Sequence, residues 1–156
     1  MQRSIGELLA HHDAFRGLAR PDLDLVAGCG HNTVFEAGQY LFREGETAET
    51  FYVVREGRIA LEMFVPDRGP LVVDTVETGD ITGVSWLFPP YRWQFDGRAV
   101  ELTRVVSFDG ACLRRKCDAD PRLGYELMKR FAMVISRRMS SAHVRLADLY
   151  GSARAR

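Results

Sequence analysis

The feature that most constrains this chain is the punctuation of residues 32–109. Short runs rich in β-branched and aromatic residues (Thr33-Val34-Phe35, Tyr40-Leu41-Phe42, Thr50 to Val54, Arg58 to Val65, Leu71 to Val76) alternate with Ala37-Gly38, Glu44-Gly45, Glu56-Gly57, Asp67 to Pro70 and Thr78-Gly79-Asp80. Such side chains suit a pleated, half-buried surface. A glycine in each break supplies the backbone freedom that a tight turn demands. The runs lie too close together to leave room for crossover helices, so the pattern predicts an antiparallel roll or jelly roll.

Helical spacing flanks this segment. Residues 4–30 place Ile5, Leu8, Leu9, Phe15, Leu18, Leu23, Leu25 and Val26 at helical intervals, with Pro21 suited to a first turn and Gly28 and Gly30 as stops. From about Ala111 the period is again helical. Asp120-Pro121 reads as a cap and first turn, and no proline follows. Met128, Ala132, Ile135, Met139, Ala142, Leu146 and Leu149 recur at alternating intervals of four and three, a heptad seam. The expected fold is therefore α+β, mainly β, in a single domain over 1–156. It comprises helices over 1–30, a β-roll over 31–109, helices over 110–151 and a frayed tail at 152–156.

A helix this long cannot bury its whole length on a small roll. Near Leu123, Leu127 and Phe131 it must pack on its own domain; beyond them a partner helix is expected, giving a parallel homodimer.

With 46% hydrophobic and 27% charged residues the chain is ordinary for a globular protein. It has no apolar run of membrane-spanning length, and residues 1–10 lack a signal-peptide core. Cys29, Cys112 and Cys117 are an odd count in a chain large enough to hold a core without staples, so buried, inert thiols and a cytoplasmic location are expected. Net charge is zero, but residues 1–113 carry 10 basic against 17 acidic side chains and residues 114–156 carry 11 against 4. Such asymmetry marks either a nucleic-acid or acidic-partner face or, more simply, a solvated helix with arginines flanking an apolar seam.

The order of elements resembles the sensor domain of the cyclic-AMP receptor protein/FNR superfamily. The resemblance rests on collinear words: Phe15-Arg-Gly-Leu-Ala-Arg-Pro-Asp-Leu, the stretch from Phe35 to Ile59 with Gly38, Gly45 and Gly57, then Gly79-Asp80-Ile81-Thr82-Gly83, Arg98 to Val105, and Asp120-Pro121. It implies a ligand-binding β-roll, a cyclic nucleotide or other phosphate-bearing small molecule as ligand, a homodimer, and an effector protein that receives the signal. It implies no metal. The superfamily's DNA readers carry a helix-turn-helix after the dimer helix. Six residues from Gly151 to Arg156 are too few for a recognition helix, so sequence-specific DNA binding in that mode is not expected.

In this family the ligand phosphate is held by backbone N–H groups at a short helix and by an arginine, and a glutamate takes the ribose hydroxyl. Here the corresponding cassette runs from Gly83 to Gly97. Gly83 keeps the family glycine. Val84 occupies the glutamate position, and the arginine position falls on Trp93, with Arg92 one residue earlier. Adjacent residues of a strand face opposite ways, so Arg92 would serve only through a local irregularity, for which Pro89-Pro90 is suited. The candidate ligand residues are Gly83, Val84, Ser85, Trp86, Arg92, Trp93, Gln94 and, on the dimer helix, His143. Two alternatives stand: Trp86, Trp93 and Phe95 fill the space, or the site takes another ligand.

Other chemistry finds little support. His11, His12, His31 and His143 lie outside the strands that would carry cupin metal ligands. Three cysteines lack the fourth of an iron–sulfur site. No nucleophile–base or phosphate-loop motif is present. The sequence thus favours a non-enzymatic small-molecule sensor over a ligand-free scaffold subunit.

Overall fold

The computed structural model describes residues 3–154. Eight strands form two four-stranded antiparallel sheets: β1 (Gly30–Phe35), β2 (Tyr40–Phe42), β3 (Thr50–Glu56), β4 (Arg58–Val65), β5 (Gly69–Glu77), β6 (Ile81–Thr82), β7 (Asp96–Ala99) and β8 (Thr103–Asp109). One sheet has the order β1-β8-β3-β6 and the other β2-β7-β4-β5. This is the expected roll. Gly57, between β3 and β4, shows why glycine punctuates it: φ is +104°, and a Cβ there would lie 2.7 Å from the Leu102 carbonyl oxygen.

Helices α1 (Ile5–His11) and α2 (Arg20–Ala27) precede the roll; α3 (Gly110–Ala119) and α4 (Pro121–Arg154) follow it. Each start has a local chemical cause. Ser4 and Glu7 form a reciprocal capping box. The Asp109 carboxylate accepts from the Cys112 N–H at 3.1 Å, and Asp120 accepts from the Leu123 N–H at 3.3 Å. Helix α4 corrects the expected tail: it passes through Gly151 and continues to Arg154, because nothing crowds Gly151 and no proline interrupts the turn. Residues 155–156 of the expected tail lie outside the described residues.

The core has two parts. Inside the roll, Phe42, Tyr52, Ile59, Leu61, Val76, Trp93 and Val105 pack together. Between the roll and the helices, Phe51 of β3 stacks on Phe108 of β8 (centroids 4.6 Å apart) and on Trp86 (5.2 Å). Phe131 of α4 meets Phe51, Trp86 and Phe15 edge-on, the arrangement that aromatic quadrupoles favour. Leu123 and Leu127 extend this contact along α4, as anticipated. A second tie is ionic. Buried Asp22 on α2 accepts two hydrogen bonds from Arg122 of α4, at 2.8 and 2.9 Å, and this forked contact holds its carboxyl below the usual carboxylate range.

The cysteines correct the expected inert thiols. Cys29 and Cys112 form a disulfide, with Cα atoms 5.8 Å apart, and Cys117 alone is a free thiol among the described residues. The inference of a reducing compartment from the cysteine count therefore has no footing. No helix among the described residues is long and apolar enough to cross a membrane.

Just beyond α1, His12 donates from Nε2 to the Gly79 carbonyl, while its Nδ1 accepts from the Ala14 N–H at 3.1 Å. Burial lowers its pKa from the ordinary 6.5, against the raising effects of that carbonyl, Asp13 and Asp80. Protonating Nδ1 would set two donors face to face. The folded chain thus holds His12 neutral, and its contribution to stability is complete above the unfolded pKa and lost as pH falls below it. Denaturant midpoints should fall between about pH 7 and 5, and His12→Gln should flatten that slope. Phe131→Ala should cost about 3–5 kcal/mol in the same assay, because it removes the shared aromatic contact.

Candidate functional site

A cavity of about 430 Å³ opens between the roll and α4, a size suited to a small organic ligand. Its floor is apolar, made by Phe42, Leu61, Val73 and Ile81. One wall is the cassette, from Gly83 through Ser85 and from Trp93 through Phe95. The other is α4, through Val134, Ile135, Arg138, Met139, Ala142 and Arg145. Gly83 has φ +103°, and a Cβ there would stand 3.0 Å from the Trp93 ring and 3.1 Å from the Phe51 Cα. Only glycine lets the loop lie this close to both.

Of the candidate ligand residues, Gly83, Val84, Ser85, Trp93 and Gln94 line this cavity. Trp93 does not plug it. Its ring stacks flat on Phe42, with centroids 3.8 Å apart and planes 9° apart, and so becomes part of the wall.

Three candidates lie elsewhere. Trp86 is buried beneath the loop against Phe51 and Phe131, because the short 3₁₀ turn Ser85–Leu87 aims it inward; its indole N–H donates to the Gly83 carbonyl at 3.1 Å. Arg92 does not line this cavity; it donates to the Gly45 carbonyl at 2.9 Å and borders an adjoining recess on the other side of Ser85, Trp93 and Gln94. The alternation of an extended segment explains this: with Trp93 inside, Arg92 is outside. His143 is exposed on α4 and does not reach the cavity, since it lies on a different side of the helix from Ala142 and Arg145. Trp86 is thus a core side chain, and Arg92 and His143 lie on the surface outside this cavity.

The cavity's charges come from residues that sequence reasoning did not single out. Arg138 donates to Asp74 of β5 at 3.4 Å and to the Ile81 carbonyl. Arg145 donates to the Val73 carbonyl at 2.9 Å and stands 3.6 Å from Asp74. Arg138 and Arg145 are seven residues apart, two turns along one helix face, and that spacing was the available signal. Among the described residues no group of three or more His, Cys, Asp or Glu side chains is placed to hold a metal.

The seam residues Met128, Ala132, Ile135, Met139, Leu146 and Leu149 are exposed, with Met128 50%, Met139 53% and Leu149 69% accessible; Ala142 is half-buried at the cavity. The opposite strands add Met63, Phe64, Leu71 and Val72, also exposed. Met63 and Met139 both border the cavity, so the two apolar surfaces meet at its rim.

Comparison with known proteins agrees with this architecture. The family model for the cyclic nucleotide-binding domain matches residues 32–120. A CRP-like cAMP-activated global transcriptional regulator of Mycobacterium tuberculosis is 24% identical over 143 residues, which cover 92% of this chain and 62% of that protein. This chain thus spans less than two thirds of the length of that relative. A solved protein of Geobacter metallireducens, described as a cyclic nucleotide-binding protein, is 28% identical, with a TM-score of 0.77 over 88% of this chain and 99% of that one. The regulatory domain of Toxoplasma gondii PKA, crystallised with cAMP, shares the fold with a TM-score of 0.68 at 22% identity, over 88% of this chain and 49% of its own. On the match over residues 32–120, which is more than half its length, the chain belongs to the cyclic nucleotide-binding domain family.

Proposed function

We propose that this chain is a non-enzymatic, dimeric sensor whose ligand occupies the cavity between the cassette and α4, and whose occupancy is relayed along α4 to an effector protein. The observation that carries this reading is the open cavity itself: Trp93 lies flat against Phe42 rather than across the space. A ligand-free scaffold would have no use for such a gap, since unfilled apolar volume forfeits packing energy.

The relay has a physical route. The cassette carbonyl of Gly83 accepts from the Trp86 indole, and the Trp86 ring packs edge-on against Phe131, 5.5 Å between centroids. Arg114 of α3 donates to the Trp86 carbonyl. A shift of the loop at Gly83 therefore displaces an aromatic side chain that bears directly on α4. Trp86 is a positioning residue in this scheme, not a ligand contact.

The helix geometry supports the dimer. At about 100° per residue, Leu123, Leu127, Phe131 and Val134 face the domain, while Met128, Ile135 and Met139 lie roughly a quarter turn away. The second stripe is what a partner helix would cover. A relative activated by cAMP supports a nucleotide as one ligand to test. The absence of both the cassette arginine and the glutamate argues that the affinity determinants differ from those of that relative.

Two experiments test the reading. In sedimentation the chain should behave as a dimer, and Ile135→Glu should yield monomers, because it buries a charge in an apolar seam; a dimer that persists in the variant would reject the seam. In a thermal-shift screen of cyclic mono- and dinucleotides and small organic acids, at least one compound should raise Tm, and Val73→Trp, which fills the cavity, should abolish the shift. A flat response to every compound would favour the scaffold.

A further inference from the structure

Resting on the cavity as the ligand site, we propose that the ligand's negative charge is taken by Arg138 and Arg145 of α4, and that the ligand is an amphipathic organic acid: one carboxylate on a flat aromatic or short acyl body. The geometry behind this is a charge imbalance at the rim of an apolar cavity. Two guanidinium groups share one carboxylate, Asp74, which leaves an uncompensated positive charge. Neither ion pair is close: 3.4 Å from Arg138 and 3.6 Å from Arg145, against about 2.7–2.9 Å for a well-made charge-assisted hydrogen bond. Both arginines line the cavity, Arg138 largely covered and Arg145 about half exposed, so an entering carboxylate meets one guanidinium inside the cavity and one at its mouth.

The rest of the cavity selects the body. Trp93 stacked on Phe42, with Leu61, Val73 and Ile81, offers flat and aliphatic surface, while the cassette stretch from Gly83 to Ser85 brings no cation. The cations of this cavity stand on the helix.

This placement supplies a switch. Asp74 on β5 is the internal competitor for both guanidiniums, and it is one of the contacts that hold α4 down on the roll. A ligand carboxylate that takes Arg138 and Arg145 releases Asp74 and exchanges a strand-to-helix tie for a ligand-to-helix one. Occupancy is thereby read directly by the helix that carries the seam.

The probe is 1-naphthylacetate, with its uncharged amide as control, in calorimetry on the full chain. The acid should bind at least tenfold more tightly than the amide. Arg138→Gln and Arg145→Gln should each weaken the acid at least tenfold and leave the amide unchanged. Asp74→Asn should tighten the acid several-fold, a gain that misfolding cannot imitate. Equal binding of acid and amide, insensitivity to both arginine variants, or weaker binding to Asp74→Asn would overturn the proposal. Cyclic AMP bound equally by wild type and by both arginine variants, but lost in Val73→Trp, would overturn the helix-arginine site while leaving the cavity as the sensor site. No binding of the acid to wild type would overturn the proposal and leave the sensor reading to the wider screen.

Discussion

The structure depends on one aromatic junction. Phe51 and Phe108 stack across β3 and β8, Trp86 lies on Phe51, and Phe131 closes the group edge-on from α4, with Phe15 behind it. The sheet, the cassette, the N-terminal helices and the long helix each send a side chain there. Large aromatic groups contribute both buried area and oriented contacts, and close-packed interiors transmit displacement rather than absorb it. The junction therefore joins these parts in one core. It also frees the rest of α4, which past Phe131 is held to the roll by arginine contacts instead of a continuous apolar interface.

The division of labour along α4 has an electrostatic counterpart. Several cations of the basic stretch 114–156 make contacts within the chain. Arg122 grips Asp22, Arg130 donates to the carbonyls of Ala14 and Arg16, and Arg138 and Arg145 reach Asp74 and strand carbonyls. Much of the helix's positive charge is spent fastening it to its own acidic domain. The planar, multi-donor guanidinium suits this use, since it can satisfy several carbonyls that a lysine would not.

The cassette shows how a site changes while its scaffold stays. Gly83 keeps its place because a backbone with positive φ against Trp93 and Phe51 admits no Cβ. The side chains that surround it are free of that constraint. With Trp93 in place of the family's inward arginine, the cavity wall becomes apolar, and Arg92, one residue away, is turned to solvent and to Gly45. A charged phosphate would lose hydration there without gaining a cassette counter-ion.

The roll, the order of its strands along the chain, the flanking helices, the cap at Asp120 and the two stripes of α4 were legible in the residues themselves. Local rules govern them: β-branched runs between glycines, Asp-Pro at a helix start, and recurrence every three or four residues. The cavity loop was legible by the same means at Gly83 and Trp93, where alternation separates inside from outside. What only the tertiary structure decided are contacts between residues far apart in the chain. Cys29 and Cys112 meet because β1 pairs with β8, bringing Asp109 onto the Cys29 carbonyl one turn before Cys112. Trp86 is core rather than ligand wall because a 3₁₀ turn rotates it toward Phe131, and Arg138 and Arg145 face the cavity because α4 folds back over β5. Local patterns specify which way a side chain points from its own element; packing between elements specifies what it points at.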